Sequence, residues 1–161
     1  LGHRRIGYIS GRAELESSNR RLMGYRASLE KAGIPIDEKL IASGDYTTDT
    51  GVQCARELLS LDHPPTAIFA SNDQMAIGVF QVAQELGLRI PDDLSVIGFD
   101  NITESKYMGL TTVDQFISEM GYVATHMLIK IINGIPLDDQ TYRMQTQLVA
   151  RNSCRKLMDA H

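Results

Sequence analysis

Apolar residues along this chain fall into short unbroken runs, and between the runs they recur every three or four positions. The first run, Arg4–Ser10 (RRIGYIS), is rich in β-formers and ends at Gly11, which predicts a strand. From Ser18 to Ala32, Leu22, Tyr25, Leu29 and Ala32 recur at helical spacing; Gly33 stands as a C-terminal cap and Pro35 blocks continuation. Leu40–Ser43 reads as a second short strand closed by Gly44-Asp45. Thr48 or Asp49 is placed to cap a helix with Val52, Ala55, Leu58 and Leu59 on one face. Asp62-His63-Pro64-Pro65 is a stiff, extended link. Thr66–Ala70 (TAIFA) predicts a third strand. Ser71, Asn72 and Asp73 are all N-cap candidates for a helix that aligns Met75, Ala76, Val79, Phe80, Ala83 and Leu86 and ends at Gly87. After the Pro91-Asp92-Asp93 turn, Leu94–Phe99 (LSVIGF) is a fourth strand, apolar on both faces.

Strands that are apolar throughout, each followed by a helix of several turns, imply a sheet buried on both sides. The fold class is α/β: a doubly wound parallel sheet with helices on both faces. Beyond Asp100 the pattern changes. Leu110–Gln115 is extended. A helix over Ser118–Ile132 carries Met120, Val123, Ala124, Met127, Leu128 and Ile131 on one stripe, and Asn133-Gly134 with Pro136 stop it. Thr141–Arg151 alternates with period two, as a strand with one wetter face does. Leu157–His161 is expected to be a frayed tail.

Length and charge narrow the function. A chain of 161 residues makes one domain with a real core, and 43% hydrophobic with 22% charged residues is ordinary for a globular protein. A net charge of -4 argues against this segment gripping duplex DNA, which is held by Lys and Arg neutralising phosphates. Cys54 and Cys154 belong to no CxxC or Cys/His cluster, so neither a disulfide framework nor a zinc site is expected, and a reducing cytoplasm is the default compartment. No apolar run is long enough to cross a bilayer. The chain opens on Leu1 rather than Met and runs straight into a strand, so it is expected to be a piece of a longer protein.

Ligands of doubly wound sheets bind beyond the carboxyl ends of the strands. Ser17, Asn19, Arg20 and Arg21 follow the first strand; Asp45, Tyr46 and Thr47 the second; Asn72 and Asp73 the third; Asp100 and Asn101 the fourth. Such a rim suits a neutral polyol, with carboxylate and amide accepting paired hydroxyls, guanidinium donating and an aromatic ring covering an apolar face. Each member also has a plainer reading: Asn72 and Asp73 as helix caps, Asp100 as a turn former, Arg21 as a solvated helical arginine, Tyr46 as loop packing. Rival chemistries lack their residues. No glycine-rich phosphate cradle follows a strand, Ser10-Gly11 stands where a phospho-acceptor pair would, and no G-x-S-x-G is present. His3, His63, His126 and His161 are scattered without metal-ligand spacing. No catalytic residue, metal or cofactor is expected.

Five segments taken together are specific. HRRIGYISG, RRLMGYRASLEKAGI, GDYTTDTG, PTAIFASNDQMAIGVFQVAQELGLRIPDDLSVIGFDN and LTTVDQ resemble the lactose-repressor/galactose-repressor family of transcription regulators over nearly the whole chain. The resemblance implies the C-terminal part of a periplasmic-binding-protein-like effector domain, without the helix-turn-helix headpiece. It divides the chain into the C-terminal subdomain (1–116), a hinge crossing and a helix that packs on the N-terminal subdomain (117–139), and a returning strand with the tail (140–161). It implies a sugar effector held by Ser17, Arg21, Tyr46, Asn72, Asp100 and Gln115, a cytoplasmic homodimer formed through Ile77, Phe80 and Tyr107, operator DNA reached only through the headpiece, and no membrane partner. One departure is visible: where many members of the family carry Pro-Pro-Leu just before Thr-Thr, this chain has Met108-Gly109-Leu110, which bears on the local dimer contact. The alternative is a sugar-binding protein of a transport system with the same fold, and a more distant one an enzyme using Asp45, Asp73 and Asp100. The NDQMAIG and IPDDLSVIGFDN pair favours the regulator. Without the N-terminal subdomain, the 118–132 stripe is expected to fold back, to lose order or, the favoured outcome, to pair with another copy of the chain.

Overall fold

A computed structural model of the chain describes residues 1–137 and 139–157. The elements are β1 (Ile6–Ser10), α1 (Glu16–Lys31), a 3-10 turn (Glu38–Leu40), β2 (Ile41–Ser43), α2 (Thr48–Leu59), β3 (Ala67–Ala70), α3 (Asp73–Glu85), β4 (Ser95–Ile97), α4 (Thr103–Tyr107), β5 (Thr112–Asp114), α5 (Ile117–Ile132) and β6 (Gln147–Val149). The first four strands form one parallel sheet in the order β2-β1-β3-β4, and helices cover both of its faces, as the apolar runs predict.

Two clusters make the core. On one face α2 and α3 bury Ile9, Ile68, Ala70, Met75, Val79 and Val96. These helices approach to backbone contact through two glycines: a Cβ at Gly51 would lie 2.5 Å from the Met75 carbonyl oxygen, and one at Gly78 2.5 Å from the Val52 amide. On the other face α1 lays Tyr25 and Leu29 over Tyr8, whose ring stacks on Tyr25 at 4.8 Å and meets Phe69 edge-on at 5.3 Å. The helix ends follow the punctuation of the sequence. Gly33, at φ +62°, closes α1 with the Gly33 amide on Glu30 and the Ile34 amide on Leu29.

Several expectations are corrected. The α2 cap is Thr47, one residue before the predicted Thr48 or Asp49, because Thr47 is the last extended residue and its hydroxyl accepts the Thr50 amide. The short helix α4 has no periodic apolar signal and was not anticipated. The strand expected over Thr141–Arg151 is only Gln147–Val149, since its antiparallel partner β5 is itself limited to Thr112–Asp114. Of the expected frayed tail, Met158–His161 lie outside the described residues, whereas Leu157 is anchored by its amide on the Leu1 carbonyl at 2.8 Å. The helix α5 forms where predicted but buries none of its residues: Met120, Leu128 and Ile131 are exposed, and Val123 and Met127 are half-buried along a groove that Leu137 and Tyr142 also line. It does not fold back on the parallel sheet.

Candidate functional site

In the strand order β2-β1-β3-β4 the connections part at β1 and β3, with α1 leaving to one face and α2 arriving on the other. That divergence opens a crevice at the carboxyl ends, where a ligand can approach backbone and helix N-termini together. Arg21, one turn into α1, reaches across it. Its Nη1 donates to the Ser71 carbonyl at 2.7 Å, its Nη2 lies 3.8 Å from Asp100 Oδ1, and the guanidinium stacks on the Phe99 ring at 4.0 Å. Asp100 in turn accepts from Gln115 Nε2 at 2.6 Å. Three of the expected ligands, Arg21, Asp100 and Gln115, therefore form one connected group.

Burial drives the Asp100 carboxyl above the usual carboxylate range and the Asp73 charge adds to this, while Arg21 and the Gln115 hydrogen bond hold it down. The pair is only partly exposed, with side chains at 16% and 20%, so its charges act in a less screened setting than surface ions. The described non-glycine residues with positive φ are Tyr46 (+77°), Asp100 (+115°), Asn101 (+55°) and Phe116 (+54°). The first three belong to the rim and Phe116 to the adjoining crossover, and such strain persists where surrounding structure over-determines it.

Asn72 serves the fold as its plainer reading has it. Its Oδ1 caps α3 on the Met75 amide at 2.9 Å, and its Nδ2 holds the Tyr46 carbonyl at 2.9 Å. It thereby seats the Tyr46 loop beside the crevice and keeps one N–H in reserve. The Tyr46 ring lies over Gly11, where a Cβ would come within 2.0 Å of Cζ, so only glycine lets the ring settle on the end of β1. Ser17 stands exposed in the first turn of α1, one turn before Arg21 and on its side of the helix.

The other carboxylates of the rim are committed to the fold. Asp73, fully buried, accepts from the Ile102 amide at 3.0 Å, the Thr112 hydroxyl at 2.6 Å and the Ser105 hydroxyl, locking α3 to the start of α4, to α4 itself and to β5. Asp45 accepts from the Thr47 and Thr50 hydroxyls and the Thr47 amide, which hold it down to about 2. Among the described residues no three His, Cys, Asp or Glu side chains converge as metal ligands, and no helix is long and apolar enough to cross a membrane.

Phe99, Gly11 and the Ser71 carbonyl escape the sequence reading. Period-two alternation puts Phe99 on the α1 face of its strand, but its stacking with Arg21 joins residues far apart in sequence and has no local signature. Away from the crevice, Ile77 and Phe80 of α3 line a shallow groove with Leu88, Ile90 and Met108, and Phe80 is only half-buried at the margin of the core. Tyr107 is separate, 83% exposed at the end of α4.

Comparison with known proteins bears on this geometry. The profile of the periplasmic binding protein-like domain matches residues 1–154. The HTH-type transcriptional repressor CytR of Escherichia coli (strain K12) is 39% identical over 158 residues, 97% of this chain and 46% of the repressor. A solved complex of the transcriptional regulator CelR with cellobiose is 35% identical with a TM-score of 0.87, over 94% of this chain and 47% of that one. A regulatory protein of the LacI family from Chloroflexus aggregans is 35% identical with a TM-score of 0.86, over 96% of this chain and 56% of that one. The chain thus spans about half the length of the relatives it matches, and those relatives are regulators rather than transport proteins or enzymes. It belongs to the periplasmic binding protein-like domain family, and what it matches is the C-terminal effector-binding part of LacI-type transcriptional regulators.

Proposed function

We propose that the whole protein is a cytoplasmic, sugar-responsive transcription repressor without catalytic activity, and that this chain supplies half of its effector cleft together with its dimer contact. The observation that carries the reading is the Arg21–Asp100–Gln115 group at the sheet's divergence point. Guanidinium and carboxylate nearly cancel in charge, so the site suits a neutral ligand. Side by side they offer donors and acceptors at the spacing of vicinal hydroxyls. Asp100 accepts a pair of sugar hydroxyls and Arg21 donates to a hydroxyl or ring oxygen. Asn72 adds its reserve N–H, Ser17 and Gln115 close the edges, and Tyr46 lies against the apolar face of the ring. A structural neighbour solved with cellobiose supports the ligand class. Operator DNA is bound by a helix-turn-helix headpiece outside this acidic chain, and two headpieces are paired by a homodimer built on Ile77, Phe80 and Tyr107.

Calorimetry on the full-length protein with a panel of neutral mono- and disaccharides, cellobiose included, tests the assignment. One sugar should bind, and Arg21→Ala and Asp100→Ala should each weaken it about thirtyfold to hundredfold, as loss of a charge-assisted hydrogen bond worth ~2–3 kcal/mol requires. Failure of the whole panel, or unchanged affinity in both variants, overturns it.

A further inference from the structure

Beneath Arg21 lies a group of hydroxyls that neither the fold nor the effector reading uses. Those of Tyr8, Tyr46 and Ser71 are shut away from the surface, and among the described residues none finds a hydrogen-bond partner in the protein. Tyr8 and Ser71 are fully buried. They come from neighbouring strands: Tyr8 pairs in register with Phe69, and strand alternation carries Ser71 to the same α1 face as Phe69. Tyr46 approaches from the far side, across Gly11. Burial pushes the Tyr8 phenol up to about 12, and Ser71, Tyr46 and Arg21 are all close enough to act on it. Tyr8 and Ser71 are thus neighbours at hydrogen-bonding range, close enough for the Ser71 side chain to pull the Tyr8 phenol back down, yet outside the geometry of a well-formed bond.

Unpaired buried hydroxyls are rare, and a group of them is the setting in which proteins hold an internal water, which typically makes about three hydrogen bonds. The position of this group gives it consequence. Ser71 adds its hydroxyl to the group while its carbonyl takes Arg21 Nη1 at 2.7 Å. The Tyr46 ring centroid is 5.8 Å from the guanidinium carbon, and Phe99 stacks on that guanidinium at 4.0 Å. Whatever fixes Tyr8, Ser71 and Tyr46 also fixes what the guanidinium rests on.

We propose that the hydroxyls of Tyr8, Ser71 and Tyr46 form a socket for one buried water, and that through it Tyr8 and Ser71 are positioning residues for Arg21. Tyr8 and Ser71 do not touch effector. They set the orientation in which Arg21 meets it, so they tune selectivity from below. The consequence for binding rests on Arg21 being an effector ligand, but the socket is tested without any effector, so the two readings fail separately.

The test uses the unliganded full-length protein, with Tyr8→Phe, Ser71→Ala and the double variant. A high-resolution crystal structure of the parent should show a water within hydrogen-bonding distance of Tyr8 Oη and Ser71 Oγ. Each single substitution should lower Tm by roughly 2–4 °C, and the double variant by little more than the larger single, because both remove ligands of the same water. In the Tyr8→Phe structure the guanidinium should leave the Ser71 carbonyl or its stack on Phe99. A direct Tyr8–Ser71 bond without water overturns the socket, as does a Tm that is unchanged or raised in Tyr8→Phe. An Arg21 that stays in place in a destabilised Tyr8→Phe overturns the positioning role.

Discussion

Asp73 and Asp100 are close enough for one charge to act on the other, yet their surroundings treat them in opposite ways. Asp73 is saturated by one amide and two hydroxyls and ties the fold together. Asp100 has one amide N–H and a guanidinium at 3.8 Å, on a backbone held at φ +115°. A carboxyl whose folded-state pKa is raised contributes stability below its unfolded value and loses it as pH rises through the folded value. At neutral pH the Asp100 charge therefore works against folding. Asp100→Asn keeps the shape and the Gln115 contact while removing the charge. It should be at least as stable as the parent in urea at pH 7, and the parent's stability deficit relative to it should shrink as pH falls toward the carboxylate range. Its affinity for the effector should still drop. If Asp100→Asn is clearly less stable at pH 7, the carboxylate is a structural ion-pair partner and the balance argued here is wrong.

At the scale of elements, α5 stands apart. Every other long helix buries a face against the parallel sheet, whereas α5 buries no residue at all. A helix apolar over so much of its surface is built to be covered. Each large side chain left in water forfeits roughly 1.5–3 kcal/mol, so the isolated chain has a strong reason to hide this stripe. Self-association of the isolated chain should accordingly weaken in Leu128→Lys/Ile131→Lys, read by sedimentation across a concentration series. If, as the family resemblance implies, the stripe packs on an N-terminal subdomain in the full-length protein, the same pair should reduce stability there. A native isolated chain that stays monomeric at high concentration with the stripe bare removes this account. The same helix shows how well local pattern reports an element: its span was legible to within a residue at its start, whereas α4, five residues long, has too few turns to show a period.

For the whole molecule, the groove around Ile77 and Phe80 and the exposed Tyr107 are two patches of one chain. A two-fold axis lets each patch of one copy meet a patch of the other, so a modest surface is used twice. Phe80→Asp in the full-length protein should shift sedimentation from dimer toward monomer and weaken operator binding, while sugar affinity stays near the parent value because the crevice lies at the other end of α3. Dimers that persist unchanged would place the interface elsewhere. Met108, from the Met108-Gly109-Leu110 turn, also lines the groove and falls inside this region.

What local sequence determines here is the set of elements and their order. Burial on both faces demands apolar runs in β1, β3 and β4, one-sided burial demands the 3.6-residue stripes of α1, α2 and α3, and Gly33 and Gly87 end helices because positive φ is open to them. The strand ends, and hence the neighbourhood of the site, follow from that order alone. Which rim residues join was decided only by the tertiary structure, because those contacts link residues far apart in the chain. Arg21 meets Ser71, Phe99 and Asp100 across the sheet, Asp73 is turned inward by donors from beyond β4, and Tyr8 and Ser71 become neighbours by strand register. Asn72 and Asp73 are adjacent polar residues at one helix start, and from sequence both read as caps or ligands. Their different fates, one capping beside the crevice and one buried under three donors, come from the direction each side chain takes as the strand turns into the helix. Hydrophobic periodicity records that a face is buried, not which distant group waits there.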